Sequence, residues 1–291
     1  IRTLTMHYAL LQRAVASGHR IFELLDIPLE IDDKPNAKPI GDVEGRVEFK
    51  NVTFGYNPER PILRNISFVA EPGQTIALVG PTGSGKTSIT ALAHRFYDVQ
   101  EGSITIDGSD IRDVTQESIG GGMGMVLQEP FLFSKSVLDN IQYNTDNASR
   151  EDIVAACKII GAHDFVMQLE NGYDTVLEQR GSNLSVGQRQ LLSFARALVA
   201  DPKILVLDEA TANIDSYTER IIQDALKKLL EGRTALVIAH RLSTIRNSNR
   251  IIVVRDGEIV EMGTHDVLVE STGLYSQLWQ TNYTSFDDIA D

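Results

Sequence analysis

The sequence has one cysteine, Cys157, and no apolar run long enough to span a bilayer. A single cysteine excludes an internal disulfide framework and is typical of a reducing compartment. The sequence also has no recognisable signal peptide, and it starts with Ile1 rather than methionine. We therefore expect a soluble piece of a longer protein.

Basic residues are scarce: 27 Lys and Arg stand against 40 Asp and Glu, a formal net charge of −13. A protein that follows a nucleic-acid backbone needs clustered Lys and Arg to replace counterions, so we expect no nucleic-acid partner. The acidic total still allows a local basic pocket for one nucleotide. With 291 residues, 42% of them hydrophobic and 23% charged, the chain has the composition of a folded protein with a large core.

The residue pattern divides the chain into four parts. Residues 1–27 carry apolar side chains at helical spacing, and Pro28 ends this amphipathic helix. Prolines and glycines among charges indicate a linker over 28–45. The polar residues 281–291 predict a flexible tail, which leaves 46–280 as the main domain.

The main domain alternates strand and helix patterns. Strand-like alternation is found in five segments: "RVEFKNVTF", "ISFVA", "TIALVG", "SITIDG" and "MGMVLQ". Short apolar runs that alternate with helix patterns predict buried parallel strands of an α/β sheet: "ILVLD", "TALVIAH" and "RIIVV". In between, over about residues 129–186, helical spacing replaces the strand signal and predicts an all-helical insertion.

A glycine-rich loop joins a predicted strand to a predicted helix, with the spacing Gly80-x-x-x-x-Gly85-Lys86-Thr87. Glycines let backbone N–H groups point at phosphates, Lys86 adds positive charge, and the Thr87 hydroxyl is a ligand for Mg²⁺. A plain glycine-rich turn is the alternative, but the strand before and the helix after favour a phosphate loop. The predicted nucleotide-binding residues here are Gly80, Pro81, Thr82, Gly83, Ser84, Gly85, Lys86, Thr87 and Ser88.

Two acidic residues end the run "KILVLDEAT". Asp208 comes at the carboxyl end of a buried strand, where open α/β sheets bind ligands, and it is predicted to hold Mg²⁺ directly or through water. Glu209 points elsewhere and is predicted to polarise the attacking water. Acidic residues that merely end a strand are the alternative, and the phosphate loop upstream favours the metal role.

A helix start in "NLSVGQRQL" offers a further anion site. Ser185 and Gln188 have the spacing of a capping box, in which each side chain satisfies a backbone donor. The free N–H groups of a helix start also bind anions. The segment is therefore either a helix cap alone or also half of a phosphate site.

The order of these motifs resembles the nucleotide-binding domain of ABC transporters over nearly the whole chain. In that family a signature loop, usually LSGGQ, opens a helix between a helical subdomain and the strand that ends in the Mg²⁺ aspartate; here LSVGQ stands in that position. The resemblance implies an α/β fold, with a P-loop NTPase (RecA-like) core and parallel sheet, an antiparallel β subdomain and the all-helical insertion. It also implies that the signature caps the γ-phosphate of ATP bound by a second domain, packed head to tail, through Ser185, Val186, Gly187 and Gln188.

Four further positions match the family in order. The resemblance implies that Tyr56 stacks on the adenine, and that Gln128 contacts Mg²⁺ and water and communicates with the membrane domain. It implies that Asp215 crosses the dimer interface and that His240 contacts the γ-phosphate. The implied cofactors are ATP and Mg²⁺, with metal ligands from Thr87, Gln128 and Asp208 and catalytic groups from Glu209, His240 and Lys86.

Three departures from the family pattern stand out. Val186 replaces a glycine; a β-branched residue resists unusual backbone angles and prevents close approach, which predicts impaired phosphate contact. Gln179 stands where many exporters have glutamate. With its other motifs intact, the chain resembles the subunit of a heterodimeric exporter that supplies competent nucleotide-binding motifs and an altered signature; a homodimer that tolerates valine is the alternative. The run Gly120–Gly124 has no explanation beyond added loop flexibility.

The resemblance implies the cytosolic motor domain of an ABC exporter, in which ATP-dependent dimerisation drives export at the cytoplasmic face of the membrane. Residues 1–27 would be the tail of the last transmembrane helix or an ordinary docking helix, and "FLFSKSVLDNI" favours export over import. The implied partners are a second, non-identical domain with a degenerate ATP site and the transmembrane domains. A bacterial or archaeal multidrug or lipid exporter fits, with peptide cargo also open.

Two other function classes fit the sequence less well. An ABC ATPase of DNA repair or translation would need long coiled-coil insertions, tandem cassettes or basic surfaces, which the sequence lacks. A P-loop nucleotide kinase or GTPase would have no use for LSVGQ or the switch histidine. Export is therefore the favoured prediction.

Overall fold

A computed structural model describes residues 2–28, 31–143, 145, 147–208, 215–239 and 241–282. The chain forms two compact units, Ile1–Asp32 and Asp33–Asp291. In the first unit one 24-residue helix, α1, covers Arg2–Leu25, and its apolar side chains form the amphipathic stripe that the sequence predicts. In the described part of the chain, no helix is long and apolar enough to cross a membrane.

The described residues of the second unit form ten strands. In chain order they are β1 (Val47–Phe54), β2 (Leu63–Ala70), β3 (Thr75–Val79), β4 (Glu101–Ile106), β5 (Ser109–Asp110), β6 (Met123–Val126), β7 (Ile204–Asp208), β8 (Thr234–Ile238), β9 (Arg250–Arg255) and β10 (Glu258–Gly263).

Its helices alternate with these strands. They are α2 (Lys86–Ala93), α3 (Gln116–Gly122), α4 (Val137–Gln142), α5 (Arg150–Ile160), α6 (His163–Met167), α7 (Val186–Ala200), α8 (Ser216–Leu230), α9 (Leu242–Asn247), α10 (His265–Val269) and α11 (Leu274–Asn282).

The strands form two sheets, and the predicted α/β fold is confirmed. The smaller sheet is antiparallel, in the order β2-β1-β4-β5, and the larger has six strands in the order β10-β9-β3-β8-β7-β6. Five strands of the larger sheet run parallel, whereas β10 pairs antiparallel with β9 at one edge. The sequence pattern did not predict β5 or β10. A usable signal for β10 was present, because Asp256-Gly257 forms the tight hairpin turn with φ of +52° and +81°.

The larger sheet is the middle of three layers. Successive side chains of a strand point to opposite faces, so in β3 Ile76 and Leu78 join one core while Ala77 and Val79 join the other. The first core lies against α2 and the antiparallel sheet, and the second lies under α5, α7 and α8. Burial on both faces explains why β7, β8 and β9 are continuous apolar runs.

Between β6 and α7 the described residues form helices α4, α5 and α6 and two short 3-10 turns but no strand, which agrees with the prediction of an all-helical insertion. Two of its helices begin with a capping box: Ser136 with Asp139, and Ser149 with Asp152. Helix α5 packs against α7 and α8, so the insertion is continuous with one core of the parallel sheet.

The glycine run lies in a helix and a strand rather than in the flexible loop that the sequence suggested. Gly120 and Gly121 belong to α3, and an added Cβ at either would meet nothing in the described part of the chain within 4 Å. Gly124 lies in β6, where a Cβ would be 2.7 Å from Cγ of Pro202. Close packing therefore explains Gly124 and gives no reason for Gly120 or Gly121.

The imidazole of His94, whose two ring nitrogens are buried, lies at the far end of α2, the helix that begins with Lys86. Among the described residues neither of its ring nitrogens reaches a hydrogen-bond partner. Burial lowers the pKa of His94 from 6.5 to about 4, and the Thr90 carbonyl offsets this only in part. The folded chain therefore disfavours the protonated imidazole at any pH above about 4.

We expect Gly120→Ala to raise the free energy of unfolding by about 1 kcal/mol, because alanine is the better helix former and has room. Gly124→Ala, the matched control, should lower it by about 1–3 kcal/mol through overpacking against Pro202. Urea unfolding followed by circular dichroism measures both. Equal effects of the two substitutions would contradict this account.

The stability of the chain should fall as the pH drops from about 6.5 to about 4 because of His94. In this window the unfolded state takes up a proton that the folded state excludes, so His94 destabilises by about 3 kcal/mol at the lower limit. Urea unfolding at several pH values, compared with His94→Leu, isolates this contribution from that of the carboxylates. A variant with the same pH slope as the parent chain would refute the prediction.

Candidate nucleotide site

Four neighbouring parallel strands end at one edge of the larger sheet. The phosphate loop follows β3 and Asp208 ends β7, while Gln128 comes two residues after β6. Ala239, after β8, is buried and donates its N–H to the carbonyl of Leu78. Because ligands bind at the carboxyl ends of such strands, strand order brings these segments to one site.

The phosphate loop needs glycine for two separate reasons. Gly80, Gly83 and Gly85 have φ of +150°, +81° and +106°, a region that other residues avoid. An added Cβ at Gly80 would lie 2.0 Å from the carbonyl oxygen of Val254, and at Gly85 it would lie 2.5 Å from Cδ2 of Leu63. The loop is thus pressed against the ends of β9 and β2.

Lys86 folds back over the phosphate loop. Its Nζ donates to the carbonyl oxygens of Gly80 and Pro81, at 2.8 and 2.9 Å. Burial lowers the pKa of Lys86, and the negative charge of Asp208 opposes that shift. The Lys86 ammonium is therefore held against the phosphate loop. The two carbonyl oxygens that it contacts occupy positions that phosphate oxygens could occupy in a nucleotide complex.

Two further observations show that the loop fits an anion. The Ser84 Oγ is buried without a hydrogen-bond partner in the described ranges. Helix α2 begins at Lys86 with Gly85 as its N-cap, and this glycine supplies no side-chain hydrogen bond to the helix start. A helix start without a cap and an unsatisfied buried hydroxyl are what a phosphate group would satisfy.

The predicted Mg²⁺ ligands differ in exposure. Thr87, the second residue of α2, is exposed, as is Gln128, whereas Asp208 is half-buried. Within the described residues no three His, Cys, Asp or Glu side chains cluster to hold a metal. The donor set fits a Mg²⁺ that completes its shell with phosphate oxygens and water, as in nucleotide sites.

Tyr56 lies on the loop after β1 with 53% of its surface exposed. Its hydroxyl is 3.3 Å from Oγ of Ser88, in α2, so its ring spans from the β1 loop to the phosphate-loop helix. An exposed ring beside a phosphate loop can stack on a base.

The signature segment forms the predicted capping box at the start of α7. The Ser185 N–H donates to Oε1 of Gln188 at 2.9 Å, and the Gln188 N–H donates to Oγ of Ser185 at 3.2 Å. Val186 is the first residue of α7 and has ordinary helical backbone, so the expectation that valine would meet unusual backbone angles here is wrong. The side chain is 40% exposed, and its bulk is what remains to limit close approach.

The helix starts of α7 and α8 pack on each other. A Cβ added to Gly187 would lie 2.3 Å from Cγ2 of Thr218, so only glycine fits there. Asp215 caps α8 by accepting from the Thr218 N–H at 3.0 Å, and hydrogen bonds from Thr218 lower the pKa of its carboxyl. Sequence reasoning missed Thr218, which joins the two predicted partner-facing segments and carries no motif signal of its own.

Two predicted catalytic residues, Glu209 and His240, lie outside the described residues. Each follows a described strand: Glu209 comes directly after β7, and His240 comes after β8 and before α9. Beside His240 in sequence, Arg241 is buried and lies 3.5 Å from a carboxylate oxygen of Glu219 in α8.

Comparison with known proteins adds four findings, three from sequence and one from structure. The sequence profile described as ABC transporter matches residues 63–212. An uncharacterized ABC transporter ATP-binding protein of Bacillus subtilis is 47% identical over 270 residues, which cover 93% of this chain and 45% of the relative. An ATP-dependent lipid A-core flippase of Desulfotalea psychrophila is 48% identical over 269 residues, which cover 92% of this chain and 47% of the relative.

Among solved structures, a bacterial Atm1-family ABC exporter with ATP bound is similar, with a TM-score of 0.87 and 41% identity, covering 96% of this chain and 49% of that one. The chain thus spans about half the length of the relatives that it matches.

Proposed function

This chain belongs to the ABC transporter family as one of its ATP-binding, ATP-hydrolysing domains, and from that premise we propose that ATP is hydrolysed between two such domains to drive export across a membrane. The observation that carries the proposal is Lys86, which is folded over the glycine loop at the head of α2 and interacts electrostatically with Asp208 of β7. The Lys86 ammonium, which can bind a phosphate, therefore lies near the Asp208 carboxylate, which can bind a metal ion.

Each residue has a role in positioning and in stabilising charge, which is most of what phosphoryl transfer requires. The α2 N–H groups, Ser84 and Lys86 bind the phosphates, and Glu209 orients or deprotonates the attacking water. His240 contacts the γ-phosphate. Mg²⁺, when bound, neutralises phosphate charge and would be held by Thr87, Gln128 and Asp208.

The capping box supports a second role for the signature. The Ser185 hydroxyl accepts a hydrogen bond within the cap, so it retains its own proton for donation to a phosphate oxygen. The first N–H groups of α7 add positive potential at the same end. We propose that this helix start serves the ATP of a second domain packed head to tail, with Asp215 at the same interface.

The names of relatives support export over repair or translation. One relative is named a lipid A-core flippase and the similar structure is an exporter, so we propose a lipid or another amphipathic molecule as cargo. In this proposal residues 1–27 are the tail of the last transmembrane helix, and the domain works at the cytoplasmic face of the membrane beside its transmembrane domains.

We also propose that the second domain is a non-identical chain with a degenerate ATP site. The support is the exposed side chain of Val186 at the first position of α7, where its bulk limits how closely a phosphate can approach the helix N-terminus. Gln179, upstream, is the other departure. A partner with a glycine at the position of Val186 would complete the ATP site of this chain.

Lys86→Ala should weaken Mg²⁺·ATP binding at least about ten-fold, because a charge-assisted hydrogen bond to phosphate is lost. Lys158→Ala, an exposed lysine of α5, is the control and should bind as the parent chain does. Isothermal titration calorimetry measures both. Unchanged ATP affinity after Lys86→Ala, or a preference for GTP, would argue against an ABC site.

The two-domain proposal predicts that Glu209→Gln with Val186→Gly forms an ATP-dependent dimer, because hydrolysis is blocked and close approach is restored. Glu209→Gln alone should dimerise several-fold more weakly, and adding Ser185→Ala to the pair should return it to monomer. Sedimentation velocity with and without ATP reports the dimer. If the parent chain alone dimerised tightly and hydrolysed ATP rapidly at both sites, the heterodimer would be excluded.

A further inference from the structure

The loop that carries Tyr56 is tightly folded. Gly55 precedes the tyrosine, and an added Cβ there would lie 2.4 Å from the carbonyl oxygen of Arg60 and 2.8 Å from that of Asn57. The Arg60 N–H donates to the carbonyl of Asn57 at 2.9 Å. The backbone on both sides of Tyr56 is therefore confined to one path.

The side chain of Gln100 binds the backbone next to this tyrosine. Its Nε2 donates to the carbonyl oxygen of Gly55 at 2.6 Å, and its Oε1 accepts from the Gly55 N–H at 2.7 Å. The Gln100 N–H also donates to the carbonyl of Thr53 at 3.1 Å. One amide side chain thus satisfies both polar groups of the residue before Tyr56, as a neighbouring strand would.

Two aromatic rings hold the plane of the Tyr56 ring. The Tyr97 ring meets it edge to face, with centroids 4.9 Å apart and planes at 79°, and the Phe54 ring does so at 5.1 Å and 82°. Phe54 and Tyr97 also contact each other, at 5.5 Å. Edge-to-face pairs are the preferred arrangement of aromatic side chains, so rotation of the Tyr56 ring would lose two favourable contacts.

The supporting residues belong to the phosphate side of the site. Tyr97 and Gln100 lie between the end of α2 and the start of β4, so they follow directly from the helix that begins with Lys86. Buried Arg95 anchors this segment, because its guanidinium donates to the carbonyl of Val114 at 2.9 Å and to Asp98 at 3.2 Å. The Tyr56 ring is thereby held at a set distance from the phosphate loop.

We propose that Tyr97 and Gln100 are positioning residues that hold Tyr56 as a preformed platform for the base of a purine nucleotide. Both act through Tyr56: Gln100 fixes its backbone and Tyr97 fixes its ring. A platform that is ordered before the nucleotide arrives does not lose side-chain freedom on binding, which favours the whole nucleotide over its phosphates alone. The inference rests on the ATP binding proposed above.

The test compares ATP with inorganic tripolyphosphate, both with Mg²⁺, on the 291-residue chain by calorimetry. Tyr97→Leu and Gln100→Glu should each weaken ATP binding about two- to ten-fold and leave tripolyphosphate affinity unchanged. Gln100→Glu keeps the shape but cannot donate to Gly55, and Tyr97→Phe, which keeps the ring, is the matched control and should bind ATP normally.

A double-substitution cycle then tests whether Tyr97 affects ATP affinity through Tyr56. In a Tyr56→Leu background, Tyr97→Leu should have no further effect on ATP affinity, because its only role is to hold the missing ring. An additive loss, equal losses for ATP and tripolyphosphate, or unchanged ATP affinity in both Tyr97→Leu and Gln100→Glu would overturn the inference. If Tyr97→Leu does not fold, Gln100→Glu, a substitution at an exposed residue, tests the inference by the same ATP and tripolyphosphate affinities. A parent chain that binds neither ligand would instead refute the proposed function.

Discussion

The position of β3 is the constraint on which the rest of the site depends. This strand pairs in parallel with β8 on one side and β9 on the other, and its alternate side chains enter both cores. A strand held on four sides cannot shift without disturbing the whole domain. The phosphate loop follows directly after the last residue of β3, and Gly80 packs closely against Val254 of the neighbouring β9. The anion cradle is therefore rigid because its strand is central.

Helix α2 extends that rigidity from the phosphate loop to Tyr56, the proposed platform for the base. Its first residue, Lys86, spans the loop, Ser88 in its first turn meets the Tyr56 hydroxyl, and the segment after it supplies Tyr97 and Gln100. The predicted partner-facing side has a different construction. There two helix starts, α7 and α8, pack on each other through Gly187 and Thr218, so the signature and the cap at Asp215 are joined to one another.

Sequence reasoning predicted the elements whose apolar pattern reflects burial. It failed for elements and residues whose positions depend on packing alone. The continuous apolar runs became buried parallel strands, since both faces of the sheet are covered. The half-exposed edge strand β10 and the two-residue β5 were missed because their apolar signal is weak. The sequence offered no reason for Gly120 and Gly121 beyond added loop flexibility, yet α3 includes both. The concern over backbone strain at Val186 failed because Ser185 caps the helix and leaves the next residue in ordinary helical conformation.

Features made of neighbouring residues were determined by the sequence itself. The phosphate loop, the Ser185–Gln188 capping box and the buried strands depend on backbone angles and hydrogen bonds within a few residues or on local apolar pattern. Only the tertiary structure decided which distant segments meet. Strand order brings Asp208 and Gln128 to the edge where the phosphate loop lies, and the turn after α2 brings Gln100 to Gly55 across 45 residues. No local pattern encodes such pairings, because they arise from how whole elements pack.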